Sequence, residues 1–541
     1  MKKDNILLWG LVVLFAVMMS IPFLVPHTGF TALFGLIPLL SMERIASILG
    51  KKRIWIYHYS AFVIWNAITT FWVCNATVGG GIFAVLANSL QMSVVFGLFR
   101  WSKSRFKGIL PYIFLMVTWI AWERFYFDAE ISWPWLVLGN AFAQSIHSVQ
   151  WYEITGALGG SLWVWACNLA LFGLMTSLSD GSWQSFNAKA KTAYTAGYII
   201  LFAGPFIASA AIGRNYKDAM EGDQMLETVI IQPNIDPYNK FQAMTQEQQN
   251  AIFLAQAEKL MDSRQNDSSA APLLLLAPET FSRDVIVGEY GRSLTWRQFT
   301  SFLNNYPNVN LLFGASSYEF IRSAERPSHT ARRIGDGLWA ESHNSALMTD
   351  WTGRTEIFHK SKLVVAVEKT PYPALFCRID DLLGGVMGRC VGQDEISLLN
   401  VESIGGKTVP VGCAVCYESV YGEYYTDYVR KGARAMTIIT NDAWWGNTPG
   451  YRQHLSYASL RAIETRRAIA RCANTGISAI ISPSGEIVTS TGWWTPDTIE
   501  SRIPLRDDIT FFVEHGDITG RLCTFLSIML LLALVVRFRS F

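Results

Sequence analysis

Apolar runs of about twenty residues, the length that crosses a bilayer as a helix, recur along the 541-residue chain. Eight fit that description: residues 6–25, 30–49, 54–73, 81–99, 108–127, 161–178, 193–212 and 522–536. The second is interrupted and the last is short. The stretch 122–158 is aromatic and only mildly polar, and it reads as an interfacial loop. Residues 213–519 contain no such run, and their pattern changes to short apolar strands alternating with helical stretches. Strands are predicted in "LETVIIQPN", "PLLLLAPET", "NLLFGASSY", "NSALMTD", "KTVPVGCAVC" and "AMTIITND". Helices are predicted in "TQEQQNAIFLAQAEKLMDSR", in "TWRQFTSFLNNY" and over residues 453–472, ahead of "ISAIISPSGEIV". Alternation of this kind predicts an α/β domain with buried sheets.

Composition sharpens this picture. Charged residues make up 16% of the chain and hydrophobic ones 50%, against about 25% charged in ordinary soluble domains. The pattern predicts a membrane bundle over residues 1–212, a water-soluble domain over 213–519, and a last span with its tail over 520–541. Lys and Arg follow alternate spans: Lys51, Lys52 and Arg53; Arg100, Lys103, Arg105 and Lys107; Lys189 and Lys191; Arg537 and Arg539. Lys2 and Lys3 precede the first, which lacks a small-residue cleavage site after it and so is expected to be retained. By the positive-inside rule both termini lie in the cytoplasm and residues 213–519 outside. Ionisable residues are scarce in the spans, which argues against a transporter. A net charge of +2 without a basic aromatic stripe gives no sign of nucleic-acid binding.

Three polar residues stand at predicted strand ends, where α/β proteins build their sites. Glu279 follows "LLLLAP", Lys360 sits in "EIFHKSKLVV", and Cys416 ends "TVPVGCAVC". A carboxylate, an amine and a thiol form a possible base, oxyanion donor and nucleophile. Each also has an ordinary structural reading: a helix cap, a solvated charge, and a small core hydrophobe.

The surrounding words resemble the nitrilase superfamily and, within it, the apolipoprotein N-acyltransferases, over nearly the whole chain. "PET" at Glu279 resembles the family's general-base motif. "HKSKLVVAVE" resembles its lysine block, with Lys360 and, eight residues on, Glu368. "CYE" at Cys416, Tyr417 and Glu418 matches the nucleophile motif, followed by "TNDAWWG" with Trp444 and Trp445, "QHL" with His454, and "RAIETRRAIARCANTGISAIISPSGEI". "WPW" and "GNAFAQ" resemble a loop of the family's membrane part. Ser361 and Lys362 depart from an Asn-His pair, Val365 and Val367 from a Pro and a Gly, and Phe241 from a Trp.

The resemblance implies a multi-pass helical bundle carrying a nitrilase-like αββα sandwich, in a bacterial cytoplasmic membrane with the sandwich on the extracytoplasmic side. It implies transfer of an acyl chain from a phospholipid, phosphatidylethanolamine, through a thioester on Cys416 to the amine of the diacylglyceryl-cysteine of an apolipoprotein. No metal or organic cofactor is implied. Glu279 is the base, Lys360 the oxyanion donor, and Glu368, Glu418 and Tyr417 support them. The glycine-hinged apolar stretch 370–392 is expected to be a mobile lid over Cys416, with Leu375, Phe376, Leu382, Leu383 and Met387 on lipid. Phe241, Trp444 and Trp445 are further lipid-contact candidates, the tryptophans equally candidates for core packing.

The spacing Cys413-x-x-Cys416 also suggests a redox or metal pair. Residues three apart on a strand face opposite ways, which leaves Cys413 in the core with Val409, Val411 and Val415. Cys377 and Cys390 flank one loop, as a disulfide or as two free thiols. Two readings compete with acyl transfer to an amine: a membrane-tethered amidase using the same triad with water as acceptor, and a non-enzymatic scaffold or transporter.

Overall fold

The computed structural model describes residues 2–216, 219–222, 224–264, 271–382 and 385–539. The chain forms two compact units, Met1–Lys217 with Thr448–Leu460 and His515–Phe541, and Asp218–Asn447 with Arg461–Glu514.

The first unit is helical. Six of its described segments are long and apolar enough to cross a membrane: Lys3–Leu24, Gly29–Ile48, Val78–Ser102, Tyr152–Ser179, Ala188–Arg214 and Ile518–Val536. The two other predicted spans are also helices, but Ile54–Thr70 has only 17 residues and Leu110–Asp128 carries Glu123, Arg124 and Asp128. Glu43, His58 and Glu123 are buried in these helices, although charge is scarce there. Each ties helices or loops together. Glu43 pairs with Lys103 at 2.7 Å, His58 bonds Ser93 at 2.8 Å, and Glu123 accepts from the Leu138 amide at 2.8 Å.

Within the stretch 122–158, residues 134–143 are buried, while Phe125 and Ile154 are exposed. Trp135 to Phe142 pack inside the unit in short 3-10 turns. Its polar backbone is matched from within: Ser161 Oγ accepts from the Gly139 amide at 3.0 Å, and Tyr152 donates to the Gly139 carbonyl at 2.9 Å. Residues Thr448–Leu460 also belong here, although the sequence pattern reads them with the soluble domain. Buried Gln453 seats them. Its Oε1 accepts from the indoles of Trp72 at 3.2 Å and Trp135 at 2.7 Å, and its Nε2 donates to the Phe23 and Thr69 carbonyls, each at 3.2 Å.

The second unit holds two sheets. The first has the order β14-β1-β2-β4-β6-β5, with β3 on β4 and β7 on β6. Its strands are β1 (Met225–Gln232), β2 (Leu273–Leu276), β3 (Ser282–Ile286), β4 (Val309–Arg322), β5 (Arg332–Gly335), β6 (Leu338–Thr349), β7 (Thr355–His359) and β14 (Asp497–Pro504). The second runs β13-β12-β11-β10-β9-β8. It comprises β8 (Leu399–Glu402), β9 (Thr408–Val415), β10 (Ala435–Thr440), β11 (Ile469–Ala473), β12 (Ala479–Ile481) and β13 (Ile487–Ser490). The central strands β1, β2 and β4 are parallel, as are β9, β10 and β11. Parallel strands are covered on both faces, and all four leucines of β2 are buried. Helices Gln246–Ser263 and Leu294–Leu303 cover one face of the first sheet through Phe253, Phe299 and Phe302. The sheets meet at Cys472, whose thiol lies 3.4 Å from the Ile231 carbonyl and 3.6 Å from that of Leu276.

The predicted helix over 453–472 is displaced. It covers Pro449–Thr465, then turns at Arg466, whose φ of 50° is left-handed, into strand β11. Pairing of the segment Ile469–Ala473 with β10 outweighs helical propensity there.

Candidate active site

Three strands of the second unit deliver the predicted triad. Glu279 lies three residues beyond β2. Its backbone rests against β4 at Gly314, where a Cβ would come within 2.5 Å of the Glu279 Cα, so only glycine permits the approach. Lys360 directly follows β7, with its amide donating to the Asn344 carbonyl of β6 at 2.8 Å. Cys416 follows β9 with φ 52°, a left-handed turn that a non-glycine residue seldom adopts. Such strain at a strand end is a feature of nucleophile turns.

Glu279 and Lys360 belong to one buried network. Lys360, 1% exposed, donates to Glu279 Oε1 at 3.2 Å and to Glu368 Oε1 at 2.9 Å. Asn344 Nδ2 donates to the same two oxygens, at 2.8 and 2.7 Å. The Asn441 amide, at the end of β10, donates to Glu279 Oε2 at 3.1 Å. Glu368 Oε2 takes the Val364 amide at 2.7 Å. Burial works against the Lys360 ammonium, but Glu368 and Glu279 outweigh it and hold the amine well above its usual range. Burial and the charge of Glu279 hold the Cys416 thiol well above its own, with Lys360 pulling the other way. The thiol therefore rests protonated and needs a base to become a nucleophile.

Glu418 staples the nucleophile turn to the lysine loop. Its Oε2 accepts from the Val415 amide at 2.8 Å, and its Oε1 from the amides of Ser361 at 2.7 Å and Lys362 at 3.2 Å and the Tyr424 hydroxyl at 2.8 Å. Four donors on one buried carboxylate make it a scaffold. Tyr417 is buried, edge-on to Tyr421 at 5.2 Å. Cys413 is fully buried, and burial pushes its thiol up to about 12. All eight cysteines are free, Cys377 and Cys390 among them.

The lipid-contact candidates fall outside this network. Trp444 and Trp445 are half-buried, Trp444 edge-on to Tyr238 at 5.5 Å. Leu383 lies outside the described residues, as does the side chain of Phe241. Phe376 is half-buried on the helix Pro373–Leu382, which replaces the irregular loop expected there. Proline suits that first helical position. Arginines hold the segment: Arg389 pairs with Asp380 at 2.5 Å and Asp381 at 2.7 Å, and Arg332 donates to the Met387 carbonyl at 2.8 Å. Leu375, Ile379 and Leu382 stay exposed, Leu382 by 87%.

Sequence reasoning missed Asn344, Asn441 and Lys240. Lys240 is 1% exposed with its Nζ 3.4 Å from the Glu279 carbonyl, and burial lowers its amine to about 7. Its position four residues into a polar stretch gave no signal. Asn344 lies among the polar residues Glu341, Ser342, His343 and Ser345 of β6, which hid it as well.

Comparison with known proteins covers both units. The profile of the apolipoprotein N-acyltransferase N-terminal domain matches residues 11–170, and that of carbon-nitrogen hydrolase matches residues 325–508. The chain is 27% identical over 526 residues to the apolipoprotein N-acyltransferase of Chlorobaculum tepidum, covering 95% of this chain and 93% of that one. It is 26% identical over 473 residues to the apolipoprotein N-acyltransferase of Geobacter metallireducens, covering 86% and 82%. Among solved structures, Saccharomyces cerevisiae Nit3, a member of branch 10 of the nitrilase superfamily, aligns at 16% identity. That alignment covers 52% of this chain and 90% of that chain, with a TM-score of 0.36.

Proposed function

We infer the reaction from the family to which the chain belongs, the apolipoprotein N-acyltransferases of the carbon-nitrogen hydrolase superfamily. The protein is a membrane acyltransferase. It takes an acyl chain from a phospholipid, phosphatidylethanolamine, onto Cys416 and passes it to the α-amine of a diacylglyceryl-cysteine apolipoprotein. The observation that carries this reading is the Glu279 carboxylate, bonded by Lys360, Asn344 and Asn441, whose charge reaches the protonated Cys416 thiol.

In the first step Glu279 accepts the Sγ proton as the sulfur attacks the ester carbonyl. Lys360 donates to the developing oxyanion, in a dry site where a fixed charge acts strongly. The C–O bond breaks, Glu279 returns the proton to the lysophospholipid oxygen, and a thioester remains. In the second step Glu279 takes a proton from the attacking amine, the C–S bond breaks, and the thiol is restored. Glu368 and Asn344 orient Lys360 and Glu279, and Glu418 holds the two loops together. The exposed apolar face of the helix Pro373–Leu382 suits contact with lipid. The enzyme sits in the bacterial cytoplasmic membrane with residues 213–519 on the extracytoplasmic side, as the distribution of Lys and Arg supports.

The test is lysophospholipid release from vesicles of phosphatidylethanolamine, with and without a diacylglyceryl-cysteine peptide. Turnover beyond one equivalent only with the peptide supports the reading. Sustained release without it would make water the acceptor and the protein an amidase-like hydrolase.

A further inference from the structure

A fully buried ion pair stands behind the triad. Asp442 Oδ2 lies 2.5 Å from Arg471 Nη2, and both residues are 0% exposed. Asp442 lies just past β10 and Arg471 is in the middle of β11, an ionised group in an otherwise apolar strand. Replacing a buried pair with apolar groups is often neutral for stability, so its presence calls for another explanation.

We propose that the Asp442–Arg471 pair is a positioning device for the reaction centre. It holds the turn Thr440–Asp442 so that the Asn441 amide stays on Glu279 Oε2 and the Thr440 hydroxyl stays at Cys416. The inference rests on Glu279 and Cys416 being the base and the nucleophile.

The register pairs Ile439 with Val415, so Thr440 and Cys416 leave the sheet side by side. The Thr440 hydroxyl donates to Asp442 Oδ1 at 2.7 Å and also interacts with the Cys416 thiol. One residue on, the Asn441 amide meets Glu279 at 3.1 Å. The next residue, Asp442, is anchored by Arg471, which also donates to the Ile477 carbonyl. On its other side the turn is fixed by Asn474, whose amide donates to the Thr440 carbonyl at 3.2 Å and whose Nδ2 reaches Asn441 Oδ1 at 3.3 Å. Base and nucleophile are thus referenced to one three-residue turn, and the ion pair is its deepest anchor. The negative charge of Asp442 also opposes ionisation of Cys416, as that of Glu279 does, while Lys360 favours it.

The experiment uses the full-length protein in detergent, with Asp442→Asn, Asp442→Asn/Arg471→Met and Thr440→Val variants. Two rates are read at one fixed pH: acylation of Cys416 by phosphatidylethanolamine, followed by intact mass against lipid concentration, and alkylation of Cys416 by iodoacetamide. Asp442→Asn is expected to lower the maximal acylation rate about 100-fold with the half-saturating lipid concentration within about twofold. Its alkylation is expected to quicken, because a charge opposing the thiolate is gone. The double variant, free of a lone buried charge, keeps the slow acylation. Thr440→Val, which leaves the pair intact, loses about tenfold in acylation and serves where Asp442→Asn does not fold. Acylation within about threefold of the parent in a folded variant overturns the proposal, as do acylation and alkylation falling together in proportion to lost folded protein. Parent protein that is alkylated at Cys416 but never acylated would instead refute the acyl-donor reading, and the alkylation arm still reports on the turn.

Discussion

Glu279 and Lys360 act on the Cys416 thiol in opposite senses, and that opposition can be measured at single residues. Glu279→Gln removes the proposed base and is expected to abolish acyl transfer, a loss of about a thousandfold or more. The same change removes a charge that raises the thiol's pKa, so iodoacetamide should alkylate Cys416 faster near neutral pH. Lys360→Met removes the cation that favours thiolate and should slow alkylation. Both variants slowing alkylation equally would contradict the assigned electrostatics. Asn344→Ala removes the donor shared by Glu279 and Glu368 and is expected to cut turnover about tenfold to a hundredfold in folded protein, measured against thermal midpoint. A histidine titration sits beside these groups. His359 stacks on His343 at 4.2 Å and bonds Ser345 at 2.7 Å, and burial lowers its imidazole to about 4. An unfolded histidine titrates near about 6.5. Below that pH the unfolded chain takes a proton that the folded state refuses, so stability is lost as pH falls from about 6.5 towards 4. A thermal midpoint that falls over this window, less steeply in His359→Asn, is the expected result. The placement of Glu279, Lys360 and Cys416 just beyond β2, β7 and β9 is legible in the sequence, because each follows a short, bounded strand pattern. Asn441 was not, since it acts through a main-chain amide that no side-chain pattern reports.

Elements carry the geometry that those residues need. Gly314 lets β4 lie against the backbone of Glu279, and Gly314→Ala would force Glu279 outward. That variant should keep its sheets by circular dichroism and lose about tenfold to a hundredfold in acylation rate; a parental rate would show that the base has slack. The helix Pro373–Leu382 presents Leu375, Ile379 and Leu382 outward. Leu382→Asp is therefore expected to leave the thermal midpoint unchanged and reduce turnover on lipid vesicles about tenfold. Unchanged turnover would remove this face from the account. Strands were read well where apolar runs were short and bounded, as in β1, β2, β9 and β10. The helix at 453–472 was read too far, because its last residues favour a helix in isolation and became strand β11 through pairing with β10. The buried segment 134–143 lies in the stretch 122–158, which reads as interfacial because it is aromatic and only mildly polar. Its buried hydrogen bonds to Glu123, Ser161 and Tyr152 are long-range and leave no local pattern.

At the scale of the whole molecule, one chain combines a helical membrane part with a hydrolase-type sandwich. The division was visible as a change from twenty-residue apolar runs to alternating short elements. What was not visible is that Thr448–Leu460, within the second part of the sequence, belongs to the helical unit through Gln453. A single polar residue with four buried partners is only recognisable once the partners are in place. In the proposed reaction this chain joins a lipid donor to a thiol nucleophile and an amine acceptor. Its most direct test is the intact mass of the detergent-solubilised protein after exposure to phosphatidylethanolamine of defined chains, beside Cys416→Ala. One acyl adduct is expected on the parent and none on the variant, with discharge by a diacylglyceryl-cysteine peptide. An adduct that persists in Cys416→Ala, or one that the peptide does not discharge, would contradict it.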